Sequence, residues 1–170
     1  IVDDFAIRYH ENELYILNQQ KLPQEEEWID VKTSEQMVEI IASLKVHGTP
    51  MIGIAAAFSL SQLAIQGASK ESLQTAAMLL KNSRPTAVNL SHYIERILTA
   101  MDQNDDFRKA VTDTALAIYQ EDITLCANMG EAGAAIIARE ENILTICNTG
   151  SLATAGIGTA LGVIRAAQLK

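Results

Sequence analysis

Basic side chains are in short supply in this chain. Lys and Arg number 13 against 21 Asp and Glu, a formal net charge of −8 over 170 residues. Nucleic-acid-binding surfaces are built from clustered cations, so this balance argues against one, while leaving room for a local basic pocket. Cysteine is nearly absent as well, with only Cys126 and Cys147. Two in a chain of this length are no disulfide framework, and no His/Cys spacing of the metal-binding kind is present, so a reducing, cytoplasmic setting without a metal site is expected. Long hydrophobic runs are missing too. The longest, residues 51–65, is short for a bilayer and is broken by Ser59, Ser61 and Gln62, so no membrane partner is expected. The opening Ile1-Val-Asp-Asp has no basic-then-apolar pattern of a signal peptide. Internal repeats and low-complexity segments are also absent.

What is present is a globular composition, 48% hydrophobic and 20% charged, at a length suited to one domain and the start of another. Residues 5–9 and 13–17 are strand-like around a Glu11-Asn12 turn, and residues 27–31 form a third strand after an interruption at Lys21-Leu-Pro23. From Ser34, placed as an N-cap, the period turns helical, with Met37, Val38, Ile41 and Leu44 on one face. Thr49 as cap and Pro50 at the first helical position begin a helix over residues 51–65. Being apolar nearly all round, it belongs in the middle of a bundle. A shorter helix covers residues 70–81, and Pro85 opens another with an inner stripe of Val88, Tyr93, Ile94, Ile97 and Met101. Phe107, Val111, Thr114, Ile118, Leu125 and Met129 mark a long helix from near Asp105, its end loosened by Gly130 and Gly133. A shift at Glu140-Glu-Asn142 divides the chain. Residues 1–140 read as an α+β unit, a small antiparallel β-meander plus a helical bundle. Residues 141–170 read as the first β-loop-α unit of a Rossmann-like α/β domain, with its helix still running at Lys170.

The candidate chemistry gathers at three loops. Residues 143–147 form a β-type run ending on Cys147, followed by a loop rich in Gly, Ser and Thr and then a helix start. That geometry aims backbone N–H groups and a helix N-terminus at one small anionic site, where a thiol loses its proton more easily. The commonest state of a lone cysteine is nevertheless a small buried core residue, and Cys126, in mid-helix, reads as packing alone. The loop is neither a dinucleotide fingerprint, since Leu161 stands where the third glycine should be, nor a P-loop. Val46-His-Gly-Thr-Pro50 and Arg84-Pro-Thr86 sit at helix starts, where they serve equally well as caps. Arg84 is the better functional candidate, because a guanidinium matches phosphate in a bidentate way. Glu25-Glu-Glu27 reads as a solvated surface.

Four segments in order carry a family likeness: Gln20-Lys-Leu-Pro23 with Glu26-Glu27; His47-Gly-Thr-Pro-Met-Ile-Gly-Ile-Ala-Ala-Ala57; Arg84-Pro-Thr-Ala-Val-Asn-Leu90; and Cys147-Asn-Thr-Gly150 with Gly158-Thr-Ala-Leu-Gly-Val-Ile-Arg165. The chain resembles the methylthioribose-1-phosphate isomerases of methionine salvage. Their superfamily includes ribose-1,5-bisphosphate isomerases and noncatalytic regulatory subunits of the guanine-nucleotide exchange factor of translation initiation. The resemblance implies a sugar-phosphate aldose–ketose isomerase that works without metal or organic cofactor, acts on a small-molecule sugar phosphate and forms a homodimer at full length. It implies Cys147 as the catalytic cysteine, Arg84 as a phosphate ligand, and His47, Gly48 and Thr49 as the loop touching substrate. Two departures stand out. His47 replaces the family's arginine, and the family's catalytic aspartate and a later Asn-Lys pair have no counterpart in these 170 residues, so the chain alone is expected to be inactive. A noncatalytic regulatory role, or isomerisation of another pentose phosphate, remains open at this point.

Overall fold

The computed structural model describes residues 1–138 and 140–169; Lys170, to which the last predicted helix runs, lies outside them. The meander is a four-stranded antiparallel sheet of β1 (Val2–Asp3), β2 (Ile7–His10), β3 (Glu13–Leu17) and β4 (Trp28–Val31), paired in chain order. The two-residue β1 was not visible in the pattern. Glu11 and Asn12 join β2 to β3 with φ of 57° and 66°, the left-handed pair that a two-residue hairpin loop requires. Register follows from the apolar alternation: Tyr9 faces Leu14, and Ile7 faces Ile16, so Ile7, Tyr9, Leu14 and Ile16 are buried together on one face.

That face lies against a bundle of α1 (Ser34–Ala42), α2 (Thr49–Ile65), α3 (Lys70–Ser83), α4 (Val88–Gln103) and α5 (Phe107–Ala134), with α6 (Ala160–Gln168) packed on α5. Helix α2 is the hub. It is buried along nearly its whole length and touches α1, α3, α4, α5 and β3, as its lack of a polar face demands. Phe58 of α2 ties the layers together, its ring 4.9 Å from Tyr9 of the sheet and 6.0 Å from Tyr119 of α5, centroid to centroid. Burying such a ring stabilises by about 1.5–3 kcal/mol. The polar groups beside it are partnered: Tyr9 Oη lies 3.4 Å from Ser61 Oγ, which donates to Thr112 Oγ1 at 3.2 Å. No described helix is long and apolar enough to cross a membrane.

Several boundaries and faces differ from expectation. Thr33, not Ser34, caps α1 by accepting from the Gln36 N–H, and Ile40 joins Met37 and Ile41 inside while Leu44 is largely outside. Gly48 rather than Thr49 is the residue before α2, and the Thr49 hydroxyl donates to Asn89 Oδ1 at 2.9 Å instead of capping its own helix. Pro85 lies in a turn ahead of α4, so Val88 begins that helix in solvent and Leu90 takes its place in the core. On α5 the buried row runs Ile118, Asp122, Cys126, Gly130, while Leu125 and Met129 face outward. Gly130 and Gly133 do not loosen the helix end; they let α6 approach, since a Cβ at Gly133 would lie 2.6 Å from Val163 Cγ1.

The largest correction is the strand expected over residues 143–147, which is not formed. Residues 141–146 have no regular secondary structure, and Leu144 and Ile146 are 98% and 89% exposed. A strand must pair its N–H and C=O groups with a neighbour. The one described sheet is complete without this segment and antiparallel throughout, so no strand is available beside it. The loop and helix after it are formed as expected.

Helices α2 and α4 meet closely at Gly53, where a Cβ would lie 2.6 Å from Tyr93 Cδ2 and 3.2 Å from the Asn89 carbonyl carbon. Gly53→Ala gains about 1 kcal/mol of helix propensity but overpacks this contact at a cost of about 1–3 kcal/mol. The expected outcome is a net loss, read as a lower urea midpoint at unchanged m-value in the intact protein.

Candidate functional site

A cavity of about 320 Å³ opens where the start of α2, the end of α3 and the glycine loop converge. Helix α2 brings Gly48, Thr49, Pro50 and Ile52, Arg84 comes from the C-terminal cap of α3, and Cys147, Asn148, Ala153, Thr154 and Thr159 come from the loop. Four of the five residues singled out from sequence, Gly48, Thr49, Arg84 and Cys147, thus line one space although Gly48 and Cys147 are 99 positions apart in the chain. The fifth, His47, lines a neighbouring cavity of about 260 Å³ with Gln19, Leu22, Asn148, Thr149, Leu152 and Ala153. Asn148 and Ala153 belong to both linings. A wider hollow of about 460 Å³ lies between α6 and residues 137, 138 and 140–143, but its lining holds no cation and no thiol or hydroxyl among the described residues.

The site can take an anion. Arg84 makes no ion pair among the described residues, and its Nη1 is buried without a hydrogen-bond partner. A buried, unpartnered guanidinium nitrogen is costly unless an acceptor meets it. The N-terminus of the 17-residue α2, with its partial positive charge, faces the same space through Thr49 and Pro50. Gly48 is required here: its φ is 81°, and a Cβ would lie 2.3 Å from the Ala153 carbonyl oxygen. Cys147 is exposed and, at φ 77°, holds the left-handed backbone that non-glycine residues rarely adopt. Cys126 is buried, and burial pushes its thiol above the ordinary range.

The glycine loop contributes differently from the expected cradle of N–H groups. Its central N–H groups are already spent. The Ala155 N–H donates to Asp122 Oδ2 at 2.7 Å, the Gly156 N–H to Asp4 Oδ2 at 2.9 Å, and the Ala153 N–H to the Gly150 carbonyl at 2.9 Å. The loop is also held from the other side, where Met51 N–H donates to the Ala153 carbonyl at 3.1 Å and Gln19 Nε2 to the Leu152 carbonyl at 2.8 Å. Positive potential in the cavity therefore comes from Arg84 and α2, and the loop supplies the wall that carries Cys147. Sequence reasoning missed Asp4, Asp122, Asn89 and Gln19. The available signal was Asp122 itself, a carboxylate placed four residues from both Ile118 and Cys126 on an apolar row. Among the described residues no group of three or more His, Cys, Asp or Glu is arranged to hold a metal ion.

Comparison with known proteins agrees with this architecture. A solved 5-methylthioribose 1-phosphate isomerase from Pyrococcus horikoshii superimposes with a TM-score of 0.85 at 34% identity, over 96% of this chain and 49% of that one. The translation initiation factor eIF-2B, subunit delta, from A. fulgidus superimposes with a TM-score of 0.84 at 33% identity, over 98% of this chain and 52% of that one. The fold is therefore the one shared by these two kinds of protein. The sequence profile of the Initiation factor 2 subunit family matches residues 45–170, and the chain belongs to that family. Among curated relatives, the methylthioribose-1-phosphate isomerase of Klebsiella pneumoniae is 44% identical over 163 residues, 96% of this chain and 47% of its own length. That of an Enterobacter species is 45% identical over 159 residues, 94% of this chain and 46% of its own length. The chain spans about half the length of the curated relatives it matches.

Two outcomes follow from the geometry. Iodoacetamide at neutral pH is expected to label Cys147 well before Cys126, which is shielded by Thr154 and Gly158; peptide mass spectrometry of the folded protein at short times measures the order. Burial chiefly, and Asp4 next, raise the Asp122 carboxyl above its ordinary value, against the Ala155 N–H, which lowers it. Between its unfolded and folded values the folded state therefore holds a proton there that the unfolded chain has released, and this group's contribution to stability falls as pH rises above about 4. The melting temperature of Asp122→Asn relative to the parent should accordingly rise as the pH is raised from about 3.5.

Proposed function

We propose that this chain forms the phosphate-binding and cysteine-bearing part of a sugar-phosphate aldose–ketose isomerase, acting on 5-methylthioribose 1-phosphate to give 5-methylthioribulose 1-phosphate. The observation that carries the reading is the shared cavity in which the unpartnered Arg84 guanidinium, the N-terminus of α2 and Cys147 come together. The curated relatives named for that reaction support the choice of substrate. Such a substrate is a closed ring with phosphate on its anomeric carbon. Isomerisation needs an acid at the ring oxygen and then transfer of hydrogen from C2 to C1, with no net oxidant and no cofactor. Arg84 and the α2 terminus hold the phosphate, leaving Cys147 at the reacting carbons, and His47 meets the substrate from the adjoining cavity. The family resemblance assigns the second proton-handling group, an aspartate, outside these 170 residues. With it goes a division of the chain in which residues 141–170 begin a Rossmann-like α/β domain, in a cytoplasmic homodimer.

The likeness to the initiation-factor subunit, as close in shape as the likeness to the isomerase, favours a second reading, a noncatalytic binder of a sugar phosphate or nucleotide. Incubating the intact protein with 5-methylthioribose 1-phosphate and following the ketose by NMR separates the two. Under the isomerase reading Cys147→Ser lowers kcat by about 10²- to 10⁴-fold, and Arg84→Ala raises KM about tenfold or more, the loss of a charge-assisted contact of about 1.5–3 kcal/mol. Binding of the sugar phosphate without turnover assigns the protein to the regulatory class.

A further inference from the structure

The loop that carries the cysteine is fastened to the bundle by two carboxylates, and their placement has a purpose beyond packing. Asp122 is 6% exposed on the inner row of α5, between Ile118 and Cys126. A charge there is expensive, and an apolar side chain of similar size on that row would suit the core better. Its one hydrogen bond to the loop is the short one from the Ala155 N–H, 2.7 Å. Asp4, between β1 and β2, takes the next N–H along, that of Gly156, and also accepts from Tyr119 Oη at 3.3 Å. Two consecutive backbone donors are thus claimed by two carboxylates 118 positions apart in the sequence, although like charges so close oppose each other. What the pair secures is the position of the turn before them. Ala153, Thr154 and Ala155 are all buried, and Ala153 and Thr154 are cavity wall. The Ala153 N–H and Thr154 Oγ1 both donate to the Gly150 carbonyl, at 2.9 and 3.3 Å, and Gly158 closes against the Gly150 backbone so tightly that a Cβ would lie 2.2 Å from Gly150 Cα. Gly150 is three residues from Cys147. A series of contacts therefore runs from Asp122 through Ala155 and Thr154 to Gly150, from which the chain itself leads back three residues to Cys147.

We propose that Asp122, assisted by Asp4, is a positioning residue: as a hydrogen-bond acceptor it sets the Gly150–Gly156 turn, and through it the distance between Cys147 and Arg84 across the cavity. The kinetic consequence rests on the isomerase reading; the consequence for the loop does not. The test compares Asp122→Ala, Asp122→Asn and Asp4→Ala in the intact protein by amide hydrogen exchange and steady-state kinetics with 5-methylthioribose 1-phosphate. Asn keeps an acceptor for the Ala155 N–H; Ala does not. In Asp122→Ala, residues 150–158 should lose exchange protection while α2 and α4 keep theirs, kcat should fall about 10- to 100-fold, and KM should change less than threefold. Asp122→Asn should restore both protection and kcat to within about threefold of the parent. Asp4→Ala, at a half-buried position that leaves the core intact, should act in the same direction more weakly, and it carries the test should Asp122→Ala not fold. Unchanged protection of residues 150–158 in both Ala variants overturns the proposal, as does an Asn variant as impaired as the Ala variant. If the parent itself gives no ketose while the exchange pattern follows expectation, the isomerase reading fails and the fastening of the loop stands.

Discussion

An apolar helix without a polar face must be enclosed on every side, and α2 imposes that requirement on the whole chain. The sheet closes one side of it through Tyr9 against Phe58, α5 another through Tyr119, and α1, α3 and α4 the remainder. Only the end of such a helix can be reached from outside. The N-terminus of α2, where Gly48, Thr49 and Pro50 stand, is that end, and it is where the cavity lies. The burial that makes α2 the structural centre thus also leaves its positive pole as the part available for binding.

Charge distribution reinforces this. The chain is acidic, with a net charge of −8, and its surface cations are largely neutralised in ion pairs such as Lys81 with Glu95 and Arg96 with Glu121. Arg84, like Arg108 and Arg165, is without an ion pair among the described residues, and it differs from them in a guanidinium nitrogen that is buried and unmet. Against an acidic background, a cation held unpaired beside a helix N-terminus is selective for an anion brought to that point, because elsewhere the surface repels it. No carboxylate lines the cavity among the described residues, and Asp4 and Asp122 instead engage the N–H groups of the loop.

How much of this could be read from the residues depended on whether the determining interaction was local. Helix α2 was legible because no arrangement but burial suits a run such as residues 51–65, and the β2–β3 hairpin because Glu11-Asn12 sits between two alternating runs. Cys147 and Arg84 were legible from residue type and neighbouring glycines or proline, and the structure brings them to one cavity. The segment at residues 143–147 was misread as formed strand because apolar β-rich composition states a preference, whereas a strand needs a partner that periodicity does not supply. On α5 the inner row drifts by steps of four after Ile118, so Leu125 and Met129 turn outward and a carboxylate, Asp122, turns in. A stripe read by hydrophobicity alone passes over that acid, because its reason for being there is the Ala155 N–H, 33 positions away.

The same non-local contact explains why a loop with so much glycine is not a flexible phosphate cradle. Gly150, Gly156 and Gly158 all have positive φ, and backbone freedom of that kind would ordinarily cost entropy when the loop orders. Here the ordering is supplied by neighbours rather than by ligand. Met51 and Gln19 hold the carbonyls of Ala153 and Leu152 from one side, and Asp122 and Asp4 hold the N–H groups of Ala155 and Gly156 from the other. A wall fixed in advance loses little freedom when a ligand arrives, so less of the ligand's binding energy goes into ordering it. The loop's conformation is thereby a property of the helical bundle and sheet that surround it, and the placement of Cys147 depends on side chains whose own positions look, in the linear sequence, to have nothing to do with the cavity.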